Sequence, residues 1–483
     1  MIRLYPEPKK IEEYGGEYFL TKYSIMTISK KFYDKEQLNL FCNLYNNFMG
    51  GIGQLKVVLR DDDIPCVVLS NEELKPKKFD LTDNDYIFEV TKEGAYLFFS
   101  DKASFSRAFC TMLSVTEVRS TTKGNEMFTL PICRIEDKPI IKFRSIHFCV
   151  FAETEFRMLK KFVRFSCFAK YTHIIVEFWG TYPYKCVKEM SRKRFAYKIR
   201  QIKDLINEAN NFGVEVVPML NILGHAAQNR AMYAKHTTLD QNPALSDLYE
   251  PDGWTWNILN PKTITIINKM IDELCDTFKG SKYFHIGCDE AFPYGSSRLF
   301  DGKDKIEVMI DYINNIQAKL KSKGMTAIMW GDQLLYNPEW PKTVYAYGES
   351  KETCDKLLKE LDKDIVVADW QYEANMDVIP SSKVLSEAGF KVVLAPWGGN
   401  KKNCAKNVYE QNYFGYMQTT WDDMSSSVKI ILEGSDQSWR GGVDYKKIDN
   451  EFMVFESISY MRRLCPPKGN YEYSGIRKHE IIV

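Results

Sequence analysis

From residue 139 onward, the sequence alternates between short apolar runs and longer amphipathic segments, and this alternation restricts the fold more than any other feature. Short apolar runs rich in β-branched side chains are typical of buried parallel strands, while the segments between them have the spacing of helices. The alternation predicts eight strands, at 140–150, 172–178, 214–220, 283–287, 326–330, 365–370, 391–397 and 415–421. Such a series predicts an α/β fold, the (β/α)8 TIM barrel. A further apolar run at 344–347 leaves the strand count open in the second half.

Residues 1–138 have a different pattern and precede the barrel as a separate unit. Strand-like segments and two segments of helical spacing occur here, and a Lys-Glu-Gly turn at 92–94 separates two apolar runs, which predicts a β-hairpin. None of these residues stands at catalytic spacing. The sequence therefore predicts a small N-terminal α+β domain at 1–138 and a catalytic barrel at 139–483, with a C-terminal helix at 451–464.

The charge balance and the cysteine content argue against several classes of function. Lys and Arg total 65 against 64 Asp and Glu, so the formal net charge of +1 gives no overall field to attract nucleic acid or an anionic membrane. No run approaches the roughly 18 apolar residues of a membrane-spanning helix. The six histidines and twelve cysteines show no ligand spacing, so we expect no metal site. Without a recognisable signal peptide, the cysteines predict reduced thiols in a cytoplasmic protein.

Two adjacent acids follow the fourth predicted strand. The apolar run Tyr283–Gly287 leads through Cys288 into Asp289 and Glu290. The carboxyl ends of parallel barrel strands carry the chemistry in this fold, and two neighbouring carboxylates repel each other unless each has a partner or a proton. Acid pairs of this kind are also common as solvated loop residues, so the pair alone is weak evidence for catalysis.

Tryptophans close the last four predicted strands, and polar residues stand on or after several others. Barrel interiors are usually filled by branched aliphatic side chains, so indoles at equivalent strand ends predict the walls of a pocket rather than a core, although any one of them alone would fit a core better. A pyranose ring stacks its C–H faces on such walls, and charged side chains bind its hydroxyls. The candidate residues are Trp330, Trp370, Trp397 and Trp421, together with Arg144, Glu177, His225, His285 and Asp423.

The segment His285–Glu290 resembles the H-x-G-x-D-E signature of family 20 glycoside hydrolases, the β-N-acetylhexosaminidases. The resemblance extends beyond the signature. Residues 85–115 look like part of the small domain that precedes the barrel in that family, and 259–261 also fits. Arg144 is similar to the family's sugar-binding Arg, and His225 to a Gly-His pair after the third strand.

The resemblance implies an exo-acting, retaining enzyme that removes terminal β-linked N-acetylglucosamine or N-acetylgalactosamine from a glycan or a small oligosaccharide. The nucleophile would be the 2-acetamido group of the substrate itself. Glu290 would be the general acid, and Asp289 would orient the acetamide and offset its positive charge. The resemblance implies neither a metal nor an organic cofactor.

The other candidate residues take supporting roles by the same resemblance. Those expected to hold the acids are His285, His225 and Glu177, and those expected to bind ring hydroxyls are Arg144 and Asp423. The tryptophans would enclose the acetamide and support the sugar. Surfaces on both domains leave a homodimer as one option.

The sequence departs from the family pattern at three places. No Tyr matches the acetamide-binding Tyr after the seventh strand, and either Asn400 or Tyr372 is a candidate replacement. Cys149 stands near the place of an acid on the first strand, and Cys288 replaces a Gly with a small side chain that we expect the strand to hold. Two alternatives therefore remain open: a catalytically silent sugar-binding barrel, and a differently specific hydrolase of acetamido sugars.

Overall fold

A computed structural model describes residues 2–21, 23–51, 54–120, 126–192, 194–227, 238–292, 294–421, 424–442 and 459–465 of the 483-residue chain. Residues 121–125, whose sequence predicts an exposed loop before a strand, and most of the predicted C-terminal helix lie outside these ranges, while residues 459–464 are helical. Among the described helices, none combines the length and the apolar character needed to cross a bilayer.

The first part of the chain forms one sheet with two α-helices. The strand order is β1-β8-β5-β6-β4-β2-β3, with β7 added beside β8. The predicted hairpin is confirmed as the antiparallel pair β5 and β6, whereas the strand-like run at 18–29 is divided between β1 and β2. The strands are β1 (Lys10–Leu20), β2 (Ile25–Ser29), β3 (Lys56–Arg60), β4 (Cys66–Ser70), β5 (Tyr86–Val90), β6 (Ala95–Phe99), β7 (Glu117–Ser120) and β8 (Glu126–Asp137), and the helices are α1 (Lys35–Phe48) and α2 (Lys102–Ser114).

Both helices begin at side-chain caps and bury an aromatic face. Asp34 accepts the N–H of Gln37 at the start of α1, which satisfies a backbone donor that has no partner within the helix. Phe41 of α1 stacks on Phe109 of α2 with ring centroids 4.3 Å apart, and it lies 6.0 Å from Phe212 in the barrel part of the chain. The two helices therefore connect the sheet to the barrel through an apolar layer.

The second part forms a closed barrel of eight parallel strands, which confirms the predicted fold class. The barrel closes where β16 pairs with β9, and the apolar run at 344–347 lies in a connection rather than in a strand. The strands are β9 (Phe143–Val150), β10 (His173–Phe178), β11 (Glu215–Met219), β12 (Tyr283–Gly287), β13 (Thr326–Trp330), β14 (Val366–Asp369), β15 (Lys391–Leu394) and β16 (Gly415–Thr420). The helices are α3 (Phe156–Phe168), α4 (Ile199–Asn211), α5 (Thr238–Gln241), α6 (Pro261–Thr277), α7 (Lys305–Ser322), α8 (Lys351–Glu360), α9 (Pro380–Glu387), α10 (Lys401–Glu410) and α11 (Val428–Arg440).

A buried ion pair joins the two parts at the amino end of the barrel strands. Asp137 accepts hydrogen bonds from Lys170 Nζ at 2.9 Å, the Tyr86 hydroxyl at 2.5 Å and Trp439 Nε1 at 2.7 Å. The side chains of Lys170 and Asp137 are 4% and 0% exposed, so this charge pair is almost completely removed from water. Because both charges are buried, neither tolerates the loss of the other.

Replacing Asp137 with Ala should lower stability by about 3–5 kcal/mol, because the Lys170 charge would remain buried without its partner. The midpoint of thermal unfolding, measured by calorimetry, should fall accordingly. The double variant Asp137→Leu/Lys170→Met removes both charges and should recover much of the loss. A double variant less stable than Asp137→Ala would contradict this account.

Candidate active site

The acid pair stands on a strained turn at the carboxyl end of β12. Gly287, Cys288 and Glu290 have φ angles of +69°, +77° and +48°, a region that side chains other than Gly adopt only at a cost of about 1–3 kcal/mol each. Cys288 is buried directly after the strand, and its φ of +77° explains why a Gly would fit this position better. Strain of this kind persists only where the surroundings impose it, so the turn is a feature that the fold maintains.

Two hydrogen bonds fix the backbone of Glu290 from opposite sides. Its N–H donates to Asp332 Oδ2 at 3.0 Å, and its carbonyl oxygen accepts from Trp254 Nε1 at 2.8 Å. The other oxygen of Asp332 accepts from Trp370 Nε1 at 3.1 Å. The backbone of the proposed acid is thus connected directly to the aromatic side chains around it.

His225 lies between the two acids. Its Nε2 atom is 3.1 Å from Asp289 Oδ2 and 3.2 Å from Glu290 Oε2, and its ring packs 4.3 Å from that of Trp254. The preceding Gly224 is required by space, because a Cβ atom there would lie 2.1 Å from the backbone oxygen of Asp289. The loop after β11 is therefore in close contact with the turn after β12.

The two acids differ in their access to solvent. The side chain of Glu290 is 33% exposed, whereas that of Asp289 is 9% exposed. An exposed carboxyl group can reach a bound substrate and exchange its proton with water, while an enclosed one is better suited to hold a substrate group in place. The geometry therefore gives the two neighbours different surroundings.

Asp332 is a third acid at the same place. It is completely buried, and burial together with the charge of Asp289 raises the pKa of its carboxyl from 3.8 to about 7. Hydrogen bonds from the backbone of Glu290 and from Trp370 oppose this rise without cancelling it. Displaced pKa values are typical of functional sites, although buried structural networks produce them too.

The structure brings the four strand-end tryptophans together around one tyrosine. The hydroxyl of Tyr372 accepts from Trp421 Nε1 at 2.6 Å, and its ring lies 5.2 Å from Trp370 and 5.7 Å from Trp397. Trp330 lies 5.7 Å from Trp421 and completes the group. The sequence analysis predicted these tryptophans as neighbours, and the aromatic group stands beside the acids.

Tyr372 fits the role of the missing acetamide-binding tyrosine better than Asn400 does. Tyr372 lies within the aromatic group, where burial raises the pKa of its hydroxyl and the charges of Asp289 and Glu290 raise it further. The side-chain amide of Asn400 instead donates to the carbonyl oxygens of Gln371 and Ala374, both at 3.1 Å. Asn400 therefore has a local structural use.

Below the acids, the barrel interior contains a buried polar group. Glu177 accepts from Asn221 Nδ2 at 2.6 Å, and its second oxygen lies 3.3 Å from His147 Nε2 and 3.7 Å from the Cys149 thiol. Cys149 and Glu177 are directly opposite on β9 and β10. Three atoms of this group could hold a metal ion, because they lie within 4.8 Å of one another. The same atoms hydrogen-bond to each other, so we describe the group as a hydrogen-bonded network.

His285 is another buried polar residue of the barrel interior. Its Nδ1 atom accepts the N–H of Gly287 at 3.1 Å, and its ring packs 4.5 Å from that of Trp330. This residue therefore supports the start of the strained turn from inside the barrel.

The prediction that Arg144 binds ring hydroxyls is wrong. Arg144 is the second residue of β9 and lies at the amino end of the barrel, opposite to the acids. Its guanidinium donates to the carbonyl oxygens of Ile141 at 2.7 Å and Lys170 at 2.8 Å, and it lies 4.7 Å from the ring of Trp439. The side chain is 2% exposed and fills a structural position between barrel and helices. The other predicted hydroxyl ligand, Asp423, lies outside the described residues.

The sequence analysis missed several residues of the site. Trp254 lies in a long connection without strand or helix periodicity, so no pattern marked it. Tyr345 and Tyr347 pack 4.8 Å and 5.6 Å from Trp370, and they form the run that had suggested an extra strand. The only sequence signal for Tyr345 and Tyr347 as site residues was their alternate spacing in a run that is not a strand.

A closed parallel barrel whose fourth strand ends in two acids beside a group of aromatic rings has the architecture of a barrel glycoside hydrolase. The family model described as "Glycosyl hydrolase family 20, catalytic domain" matches residues 172–441, more than half of the chain. The chain belongs to glycosyl hydrolase family 20.

Individual relatives agree with this assignment. Hexosaminidase D of Bos taurus is 26% identical over 177 residues, and the match covers 34% of this chain and 48% of that protein, about half of its length. The chitobiase of Flavobacterium johnsoniae has a TM-score of 0.68 at 17% identity, and the match covers 99% of this chain and 74% of that one. A β-N-acetylhexosaminidase from Bacteroides fragilis has a TM-score of 0.67 at 17% identity, with 95% and 96% covered. At these identities the structures show a shared fold.

Replacing Gly287 with Ala should destabilise the protein by more than about 2 kcal/mol, because overpacking adds to the strain of a positive φ. A Cβ atom there would lie 1.5 Å from Asn221 Oδ1. Gly302→Ala is the matched control, since Gly302 has a φ of +73° and open space around it. Calorimetric unfolding should separate the two variants clearly, and equal losses would contradict the steric account.

Replacing Asp332 with Asn should flatten the pH dependence of stability between about pH 4 and pH 7. A carboxyl whose pKa rises from 3.8 to about 7 on folding holds its proton in the folded state over that window. Its contribution to stability is complete below pH 3.8 and is lost as the pH rises to about 7. Denaturant midpoints measured across this window should fall more steeply in the wild type than in the variant. Parallel profiles would show that Asp332 ionises normally.

Proposed function

We propose that the chain is an exo-acting, retaining β-N-acetylhexosaminidase that releases terminal β-linked N-acetylglucosamine or N-acetylgalactosamine. The observation that carries the proposal is the placement of His225 Nε2 within about 3 Å of both Asp289 and Glu290, on a strained turn that opens beside the aromatic group. Membership of the family and the names of its relatives support the same activity.

In the proposed mechanism, Glu290 donates a proton to the glycosidic oxygen and later removes one from the attacking water. Its partial exposure and the fixed position of its backbone suit both steps. A correctly placed acid of this kind typically contributes about 10²–10⁴-fold to the rate. His225 orients the carboxyl group through its contact with Oε2.

The nucleophile in this proposal is the 2-acetamido oxygen of the substrate, and retention follows from two successive displacements at the anomeric carbon. Attack within one molecule is favoured because the reacting atoms are already held together. Asp289 accepts the acetamide N–H and offsets the positive charge that develops on the ring formed in the first step. In this proposal the Tyr372 hydroxyl, which accepts from Trp421 within the aromatic group, donates to the acetamide oxygen.

We also propose that the protein works in a reducing compartment, as expected for the cytoplasm. All twelve cysteines lie in the described part of the chain, and none of them forms a disulfide there. Ten of them are buried, where they pack as small apolar side chains.

The proposal is tested with aryl β-glycosides of both amino sugars. Glu290→Gln and Asp289→Asn should each lose at least about 100-fold in kcat, the range expected when an acid or a charge-stabilising group is removed. Glu410→Gln, which changes an exposed acid on α10, is the matched control and should retain wild-type activity. Wild-type rates in Glu290→Gln would remove this residue as the acid.

The alternatives give different outcomes in the same assay. A wild type that binds an amino sugar without cleaving either substrate would indicate a silent sugar-binding barrel. A thiazoline that mimics the proposed cyclic intermediate should inhibit competitively, because it occupies the acetamide position. An active enzyme that the thiazoline does not inhibit would use a nucleophile other than the 2-acetamido group.

A further inference from the structure

A row of aromatic side chains continues from the site outward to the surface. Trp370 lies 5.6 Å from Tyr347, and Tyr347 lies 5.6 Å from Phe292 in an edge-to-face arrangement. The exposed fraction rises along the row from 9% for Trp370 to 36% for Tyr347 and 61% for Phe292. Single exposed aromatic residues are ordinary on protein surfaces. Here two exposed aromatic residues contact each other and continue a buried aromatic wall. Together they form an extended apolar surface.

This row is positioned by the same atoms that position the proposed acid. The N–H of Phe292 donates to the backbone carbonyl oxygen of Glu290 at 2.9 Å. This hydrogen bond holds Phe292 on the same turn, two residues after the proposed acid. Asp332 accepts the Glu290 N–H through its side chain and the Tyr347 N–H through its carbonyl oxygen at 2.8 Å. Phe292 and Tyr347 therefore approach Glu290 from two separate loops, after β12 and after β13.

A general acid must lie beside the oxygen that it protonates, and that oxygen belongs to the leaving group. The leaving group therefore lies on the exposed side of Glu290, where these two rings stand. The charge of Glu290 also contributes to the raised pKa of Tyr347, after burial, which agrees with this proximity.

We propose that Phe292 and Tyr347 form a binding subsite for a leaving-group sugar, so that the substrates are disaccharides or longer oligosaccharides whose second residue is a pyranose. The inference rests on the proposed function and adds the class of leaving group to it. A pyranose presents a flat C–H face to an aromatic ring, as the terminal sugar does in the adjoining group of tryptophans. An aromatic row that continues past the acid gives consecutive sugars the same kind of contact.

The test compares two substrates that share the terminal sugar preferred by the wild type: a β-1,4-linked disaccharide and the methyl β-glycoside. Phe292→Ala should lower kcat/KM for the disaccharide about fivefold, the effect of losing one aromatic contact, and leave the methyl glycoside unchanged. Tyr347→Ala should also lower kcat/KM for the disaccharide, and by more than it lowers kcat/KM for the methyl glycoside, because this ring packs on Trp370 of the pocket as well. Phe292→Trp keeps an aromatic face and should retain the preference for the disaccharide.

The controls separate this inference from the proposed function. Phe19→Ala removes a ring that is 48% exposed on β1, outside the barrel, and should change neither substrate. If the wild type cleaves both substrates and Phe292→Ala slows both equally or neither, the subsite is overturned and the proposed function stands. A wild type that cleaves the aryl glycosides but neither of these two substrates overturns the subsite alone, and a wild type that cleaves no aryl glycoside overturns the proposed function as well. A wild type that prefers a serine-linked amino sugar over the disaccharide would assign the row to a peptide instead.

Discussion

The site depends on the left-handed backbone conformation of Glu290, which two hydrogen bonds impose. The acceptor Asp332 and the donor Trp254 offset the cost of the unfavourable φ of +48°. Both partners come from other loops, so the turn acquires its shape only when the barrel has closed and its connections have packed. The orientation of the proposed acid is therefore a property of the tertiary fold rather than of the local sequence.

Three carboxyl groups and one imidazole lie close together, but the three carboxyl groups differ in their burial and their neighbours. Asp332 is buried, which raises the pKa of its carboxyl to about 7, Asp289 is largely enclosed beside His225, and Glu290 reaches solvent. Charge repulsion among neighbouring acids is lowered when one of them keeps a proton. Asp332 also holds both the backbone of Glu290 and the indole of Trp370. Electrostatic and geometric organisation thus depend on the same side chain.

Much of the barrel could be predicted because strand periodicity is a local property. The fifth strand was predicted at its observed bounds, Thr326–Trp330, and the acids were placed after the fourth. The predicted role of Arg144 was wrong. An arginine side chain suggested a sugar ligand, but its position near the start of β9 places it away from the carboxyl ends of the strands. Trp254 could not be found because long connections take their course from tertiary contacts, which leave no periodic signal.

The ion pair of Asp137 and Lys170 has a practical consequence. It fastens the N-terminal sheet to the amino end of the barrel strands, whereas the acids stand at the carboxyl end. A tag, a surface tether or a fused partner attached through the sheet would therefore be held away from the entrance for substrate. The same arrangement allows the outer strands of the sheet to be re-engineered for immobilisation while the carboxyl end of the barrel stays accessible.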